Sequence, residues 1–220
     1  QVERPSIALE WWREAGFLNA LVPSIAAAPT YRFAALDYLP RGAGDVGKGA
    51  TLSRLAMLFF GESEETVSAA LKALRFSNAD TAWIANLAGA RADLGHAIDA
   101  AVTAGAPAAG DIRRWVARIG RMRTETFFSL NAALWRARLA IDEDTAVESR
   151  LDPLTRAAVE IAFRDPIEIA DLAVDGEDLQ KAGIPNGPRM GKALHALLQR
   201  VIDDPAANTA STLIEIAKSL

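Results

Sequence analysis

The sequence predicts an all-α protein, an irregular multi-helix bundle with a C-terminal helical tail subdomain. Three observations carry that expectation. Ala and Leu are abundant, apolar residues recur at three- and four-residue spacings, and no stretch alternates apolar and polar residues as a half-buried strand would. The expected organisation is a helical segment over residues 1–28, a helical body over 29–150 and a tail over 151–220.

Taken in order, Ser6 is placed to cap a first helix carrying Ile7, Leu9, Trp11 and Trp12, which Gly16 ends. A helix from Phe17 to Ala28 follows, broken or restarted at Pro23. Thr30 to Leu39 reads as a short helix stopped by Pro40. Residues 41–49 hold four glycines and read as a loop. Thr51–Phe60 and Ser63–Arg75 then form a helical hairpin, with Ser63 as a single cap.

Ser77 or Asn78 caps a longer helix running to about Thr103, which Gly105-Ala106-Pro107 breaks. Residues 109–141 read as one or two helices with Gly120 as the weak point. The acidic turn Asp142-Glu143-Asp144 leads to Pro153, expected in the first turn of a helix that ends near Phe163. In the tail, Val174-Asp175-Gly176 turns the chain into a helix over Glu177–Ala182 that stops at Gly183. Pro188 sits in the first turn of the next helix, where its missing N–H costs nothing. That helix places Met190, Leu194, Leu197, Leu198, Val201 and Ile202 on one face and ends at Pro205. Asn208 or Thr209 caps the last helix.

Composition narrows the function. The chain has 220 residues, half of them apolar, enough for one large or two small cores. With no cysteine and two histidines, His96 and His195, it has no thiolate site and no material for a histidine-rich metal centre. Core-edge packing is the expectation for both histidines. No run approaches the ~18 apolar residues of a membrane span, and Gln1-Val2-Glu3-Arg4-Pro5 has no signal-peptide pattern. A soluble, cytoplasmic protein without a membrane partner is expected. The chain has no initiator Met and is expected to be cut from something longer.

The net charge of −4 argues against bulk attraction to nucleic acid, so any RNA contact has to come from a local patch. The strongest such patch lies in residues 111–138. There Arg113, Arg114, Arg118, Arg121, Arg123, Arg136 and Arg138 stand against Asp111 and Glu125, an excess of five positive charges. Arg114, Arg118 and Arg121 share a helical face, with Trp115, Ile119 and Phe127 opposite as core anchors. Arginine suits bidentate phosphate contacts, though a salt-bridged or solvated face explains such runs equally.

A second candidate is the turn at Gly187–Met190, whose free backbone N–H groups, with Arg189 and Lys192 nearby, can hold a phosphate, though on geometry alone glycine and proline that merely shape the turn beside solvated cations are the commoner case. Gly42 to Gly49 imitates a phosphate loop, but Gly49 stands where Ser or Thr is required and no strand precedes it. Asp142, Glu143, Asp144 and Glu148 read as an acidic turn rather than a metal cluster.

The tail carries more than geometry. Residues 165–220 contain an acidic turn with Gly176-Glu177-Asp178-Leu179, the hairpin Gly183-Ile184-Pro185-Asn186-Gly187-Pro188-Arg189-Met190-Gly191, a leucine-rich helix and a closing Asn208-Thr209. In that order these features resemble the tail of class II tRNA nucleotidyltransferases, the CCA-adding enzyme and bacterial poly(A) polymerase family. Upstream, Gly16-Phe17-Leu18 and Leu21-Val22-Pro23 resemble the end of that family's neck, with Ser24 where Glu is usual. Leu71-Lys72-Ala73-Leu74-Arg75-Phe76-Ser77-Asn78 is similar to another element of its body. Leu55 to Gly61 falls where many members carry an His-Asp pair, and this chain has Leu58, Phe59 and Phe60 there instead.

The resemblance implies a tRNA-binding C-terminal part that positions the tRNA body for 3′-end addition by a head domain. It implies that Arg113, Arg114, Arg118, Arg121, Arg123, Arg189 and Lys192 contact RNA phosphates, and that tRNA or another structured RNA is the partner. No catalytic residue, metal ligand or cofactor is expected within this chain; the family's Mg²⁺ and ATP or CTP belong with its head. The absent His-Asp ligands argue against an HD-type hydrolase. The competing expectation is a helical protein-interaction or homodimerisation module, drawn from the acidic charge and the Trp-rich first helix.

Overall fold

The computed structural model describes residues 4–39, 48–142 and 145–219, and every described element is helical. The chain divides into two compact units. One comprises residues 1–106 and 125–155, the other residues 107–124 and 156–220.

The first unit opens with α1 (Pro5–Glu14), α2 (Phe17–Leu21), α3 (Pro23–Ala26) and α4 (Thr30–Ala34), the last running into a 3₁₀ turn over Ala35–Tyr38. Pro5 takes the first helical position and Arg4 precedes it, so Ser6 is not the expected cap. Instead Ser6 is buried, and both its backbone N–H (3.2 Å) and its hydroxyl (2.5 Å) donate to the Asp37 carboxylate. A proline pre-set for the first turn displaces the local cap, and a distant acceptor takes the hydroxyl. Gly16 turns the chain at φ +79°, and Pro23 starts α3 as a fresh helix.

The hairpin follows as α5 (Lys48–Phe59) and α6 (Glu64–Ala73), with Ser63 Oγ accepting from Thr66 N–H. The long α7 (Asn78–Ala104) is capped by Ser77, whose Oγ accepts from Asp80 N–H, and it packs against α5 and α6. Its buried side sets Ala85, Ala88, Gly89 and Ala90 among Ile84, Leu87 and Ile98. A Cβ on Gly89 would lie 2.2 Å from Glu64 Cγ, so the Glu64 side chain of α6 occupies the space that glycine leaves there. The core is aromatic: Phe33, Phe59, Phe60, Phe127 and Phe128 are essentially inaccessible. Phe127 contacts Phe60 (5.3 Å between centroids) and Phe128 (5.4 Å) in tilted and edge-on geometry. Each such burial contributes about 1.5–3 kcal/mol. The apolar run Leu58-Phe59-Phe60 therefore feeds this core.

Two long helices are α9 (Thr124–Asp142), nearly all of it in the first unit, and α10 (Thr145–Arg164), of which residues 145–155 belong to the first unit and 156–164 to the second. Pro153 was expected at a helix start but lies inside α10. The helix begins eight residues earlier than the proline rule placed it, at Thr145, and tolerates one missing backbone bond because Val147, Leu151, Leu154 and Ala158 all bury their side chains. The glycine-rich residues 41–47 and the acidic pair 143–144 lie outside the described residues.

The second unit contains α8 (Ala109–Ile119), a 3₁₀ turn over Arg121–Arg123, and the tail. The tail runs from a 3₁₀ turn (Ile169–Asp171) through α11 (Gly176–Lys181) and α12 (Pro188–Asp203) to a 3₁₀ turn (Pro205–Ala207) and α13 (Ala210–Ser219). Its core joins Leu172, Val174, Leu179 and Ile184 to Met190, Leu197, Val201 and Ile202 of α12 and to Leu213 of α13. Leu194 sits at its edge, as the helical face predicts. Asp175 caps α11 through a capping box with Asp178.

Candidate RNA interface

The predicted phosphate contacts fall into two groups that the structure treats differently. Residues Arg113, Arg114 and Arg118 lie on α8, whose inner face buries Ile112, Trp115, Val116 and Ile119. Gly120, at φ +88°, ends that helix. Arg121 and Arg123 therefore sit in the following 3₁₀ turn, and Arg121 does not continue the Arg114–Arg118 face.

Most of these arginines are engaged within the protein. Arg113 Nε donates to Ile202 O at 2.8 Å and its Nη1 to Asp165 at 3.1 Å, tying α8 to the C-terminal turn of α12. A cation there also complements the helix dipole. Arg114 bridges Asp203 at 2.6 Å and Asp111 at 2.7 Å, and these carboxylates, Asp111 foremost, raise its already high pKa. Arg121 donates to Ala162 O near the end of α10 and pairs with Asp171 at 2.7 Å. Asp171 accepts in addition from the N–H groups of Ile167 and Glu168, both at 2.9 Å. Arg118 and Arg123 are half-buried, and the Arg123 Nε is a buried donor without a partner.

The remaining two arginines of the run belong to the first unit. Arg136 pairs with Glu148 and Asp152, both at 2.9 Å, and Arg138 with Asp99 at 3.0 Å. The excess of five charges counted along residues 111–138 is thus met by carboxylates from other parts of the chain.

Arg189 and Lys192 behave otherwise. Both are exposed in the first turns of α12 and form no ion pair among the described residues. Gly187, at φ +111°, swings the chain into that helix, and Pro188 occupies its first position. The N–H groups of the first turn have no partner one turn earlier in the helix, and the positive end of the dipole adds to the two side chains. Neither histidine packs at a core edge: His96 is exposed, and His195 is exposed with Nδ1 2.8 Å from Gly191 O.

One residue of the tail escaped the sequence reading. Asn208 does not cap the last helix; Thr209 does, its Oγ accepting from Thr212 N–H at 3.3 Å. Asn208 instead donates from Nδ2 to Asp171 O at 2.9 Å and accepts from Ala173 N–H at 2.8 Å. It fastens the chain before α13 to the turn before α11. Among the described residues no three His, Cys, Asp or Glu side chains converge as a metal site would require, and no helix is long and apolar enough to cross a membrane.

Comparison with known proteins bears on the same region. Residues 123–217 match the tRNA nucleotidyltransferase domain 2 family. The chain is similar to the CCA-adding enzyme of Limosilactobacillus fermentum, 45% identical over 65 residues, which cover 29% of this chain and 16% of that enzyme. It is also similar to the CCA-adding enzyme of Lacticaseibacillus paracasei, 44% identical over 50 residues, covering 23% of this chain and 13% of that enzyme. The match thus spans less than a fifth of either relative. No solved structure matches the chain significantly. The tail motif, the all-helical fold and these matches agree that residues 123–217 are similar to a tRNA nucleotidyltransferase domain 2.

Proposed function

We propose that this chain is the tRNA-binding C-terminal part of a CCA-adding enzyme or poly(A) polymerase. It positions the tRNA body while a catalytic head of the same enzyme, in the same cytoplasmic compartment, adds nucleotides to the 3′ end. The observation that carries this reading is the match of residues 123–217 to a tRNA nucleotidyltransferase domain. The unpaired cations at the start of α12 support it physically. Structured RNA is gripped by backbone and shape, and an exposed helix N-terminus flanked by Arg189 and Lys192 is suited to a phosphate. Arg113, Arg114 and Arg121 brace the second unit and contribute to RNA binding mainly by holding its surface in shape; Arg118 and Arg123 stand between the two groups. In this reading Mg²⁺ and the nucleoside triphosphate of the reaction belong with the head, and no step through them is assigned to this chain.

The test is fluorescence anisotropy with labelled tRNA across a salt series. The Arg189→Ala/Lys192→Ala variant is expected to bind about tenfold more weakly at low salt, with the slope of log K against log salt reduced by roughly two. An unchanged affinity and slope refute the assignment. A second reading, a helical interaction or homodimerisation module, rests on the exposed Trp11 (66%), Trp12 (54%), Phe17 (60%) and Leu21 (62%). A homodimer in light scattering that does not bind tRNA favours it.

A further inference from the structure

We propose that the first unit carries a second anion site, a cavity that takes a phosphate group from a nucleotide or an RNA end. It stands independently of the reading above, since none of its residues belongs to the tail.

The cavity, of about 330 Å³, is lined by Tyr31, Arg32, Arg91, His96, Asp99 and Arg138 among others. That volume lies at the small end of the ligand-pocket range. Three guanidinium groups and an imidazole thus face one carboxylate among the lining residues, with Glu62 paired to Arg32 at 2.8 Å.

Asp99 does not exhaust these cations. It takes Arg91 in a bidentate pair at 2.9 and 2.6 Å, and it accepts from Arg138 Nη1 at 3.0 Å and Trp135 Nε1 at 2.9 Å. Arg91 is further fixed by Asn131 Oδ1 at 2.8 Å and is 6% exposed. Arg138 is steadied by the Tyr31 hydroxyl at 3.3 Å and by the Tyr31 ring at 4.7 Å. Arg32 donates to Leu58 O at 3.4 Å as well as to Glu62; a guanidinium has more N–H donors than these partners occupy, so Arg32 and Arg138 hold unused donors in a cavity that His96 also lines. The carboxylate orients the arginines, and their surplus charge remains for a ligand.

The cavity is also kept open by glycine. A Cβ on Gly95 would lie 3.0 Å from Arg91 Cζ and Nε. A side chain at Gly95 would press on the guanidinium itself. Phosphate suits the arrangement because its oxygens can accept paired N–H bonds from the planar guanidinium forks.

The experiment is calorimetric titration of the full chain with inorganic phosphate at low ionic strength, repeated with AMP, with adenosine, and with one short RNA bearing either a phosphate or a hydroxyl at its 5′ end. Ala92→Glu places a carboxylate at this cavity from an exposed helical position that makes no side-chain hydrogen bond, so the fold and its melting temperature are expected to persist. Saturable binding of phosphate and AMP but not adenosine, weakened at least tenfold by Ala92→Glu and severalfold by His96→Gln, is the expected result. Preference for the phosphorylated RNA over AMP assigns the RNA end as the source, and the reverse order assigns the free nucleotide. Absence of saturable phosphate binding up to about 10 mM, or equal affinity in the wild type and in both variants, overturns the proposal.

Discussion

The sharpest stability prediction concerns Asp99, the hub of the arginine cluster on α7. Asp99→Asn keeps the side-chain volume and removes the charge. In the folded protein it leaves Arg91, 6% exposed, with its bidentate partner gone, and it turns an amide N–H₂ toward donors from Arg91, Arg138 and Trp135. Breaking a buried ion pair from one side costs about 3–5 kcal/mol, chiefly because the remaining charge is stranded. The lower end applies because the Asp99 side chain is itself 25% exposed. A loss of about 3 kcal/mol corresponds to a melting temperature about 6–12 °C lower for a chain of this size. Asp152→Asn supplies the control. It removes a partner of Arg136 at the same 2.9 Å distance, but Asp152 is 64% exposed, and such pairs contribute under about 1 kcal/mol.

Thermal unfolding followed by circular dichroism measures both variants. Equal shifts would refute the argument that burial, rather than pairing alone, sets the value of this cluster. The same site gives a pH signature. Burial opposes the charge on Asp99, but its hydrogen bonds to Arg91 and then Arg138 outweigh that and hold its pKa below the ordinary 3.8. A group depressed in the folded state stabilises above its unfolded pKa and loses that contribution as pH falls through the folded one. The Asp99 contribution is therefore intact at neutral pH, begins to fall below about pH 4 and is gone only below the depressed folded pKa, where the wild type and Asp99→Asn should converge in stability.

Two further substitutions test the tail and the helix caps. Asn208→Ala removes both bonds that fasten the start of α13 to residues 171 and 173, and is expected to destabilise the second unit by about 1–2 kcal/mol in urea unfolding. Asn208→Asp, which keeps the acceptor for Ala173 N–H, should recover part of the loss; no difference between the two would contradict the clamp. Ser77→Ala deletes the cap of the longest helix and should cost about 1 kcal/mol, read as reduced hydrogen-exchange protection in its first turn. Unchanged protection would show that the cap is dispensable there.

The order of the helices was legible because the signals that set it are local. The serines at 63 and 77, the glycines at 16, 120 and 183 and the proline at 188 act on backbone groups within a turn of themselves, and each stands where the chain starts or stops a helix. The misreadings arose where a distant group won. Ser6 has a local use as a cap, but Asp37, 31 residues away, takes its hydroxyl. Asn208 likewise serves residues 37 and 35 positions earlier. Pro153 follows the local rule for a helix start, yet apolar positions on both sides of it carry α10 through.

The arginine run shows the same limit in the charge count. Its excess came from weighing seven cations against the two acids of the same window. Among the acids that neutralise it, Asp165, Asp171 and Asp203 lie 52, 50 and 89 residues from their partners, and Asp99, Glu148 and Asp152 also lie outside the window. Arginine does two kinds of work here that a run cannot distinguish. At positions 113 and 121 its fork closes helix ends by donating to the carbonyls of Ile202 and Ala162 while pairing with a carboxylate. At position 189 it stands in solvent beside unbonded N–H groups. An RNA phosphate that recruits Arg113 or Arg121 has to unfasten a helix end, whereas one that recruits Arg189 and Lys192 displaces only water and counterions. RNA affinity on this unit should therefore follow the sparse cations of α12 rather than the dense run of residues 113–123.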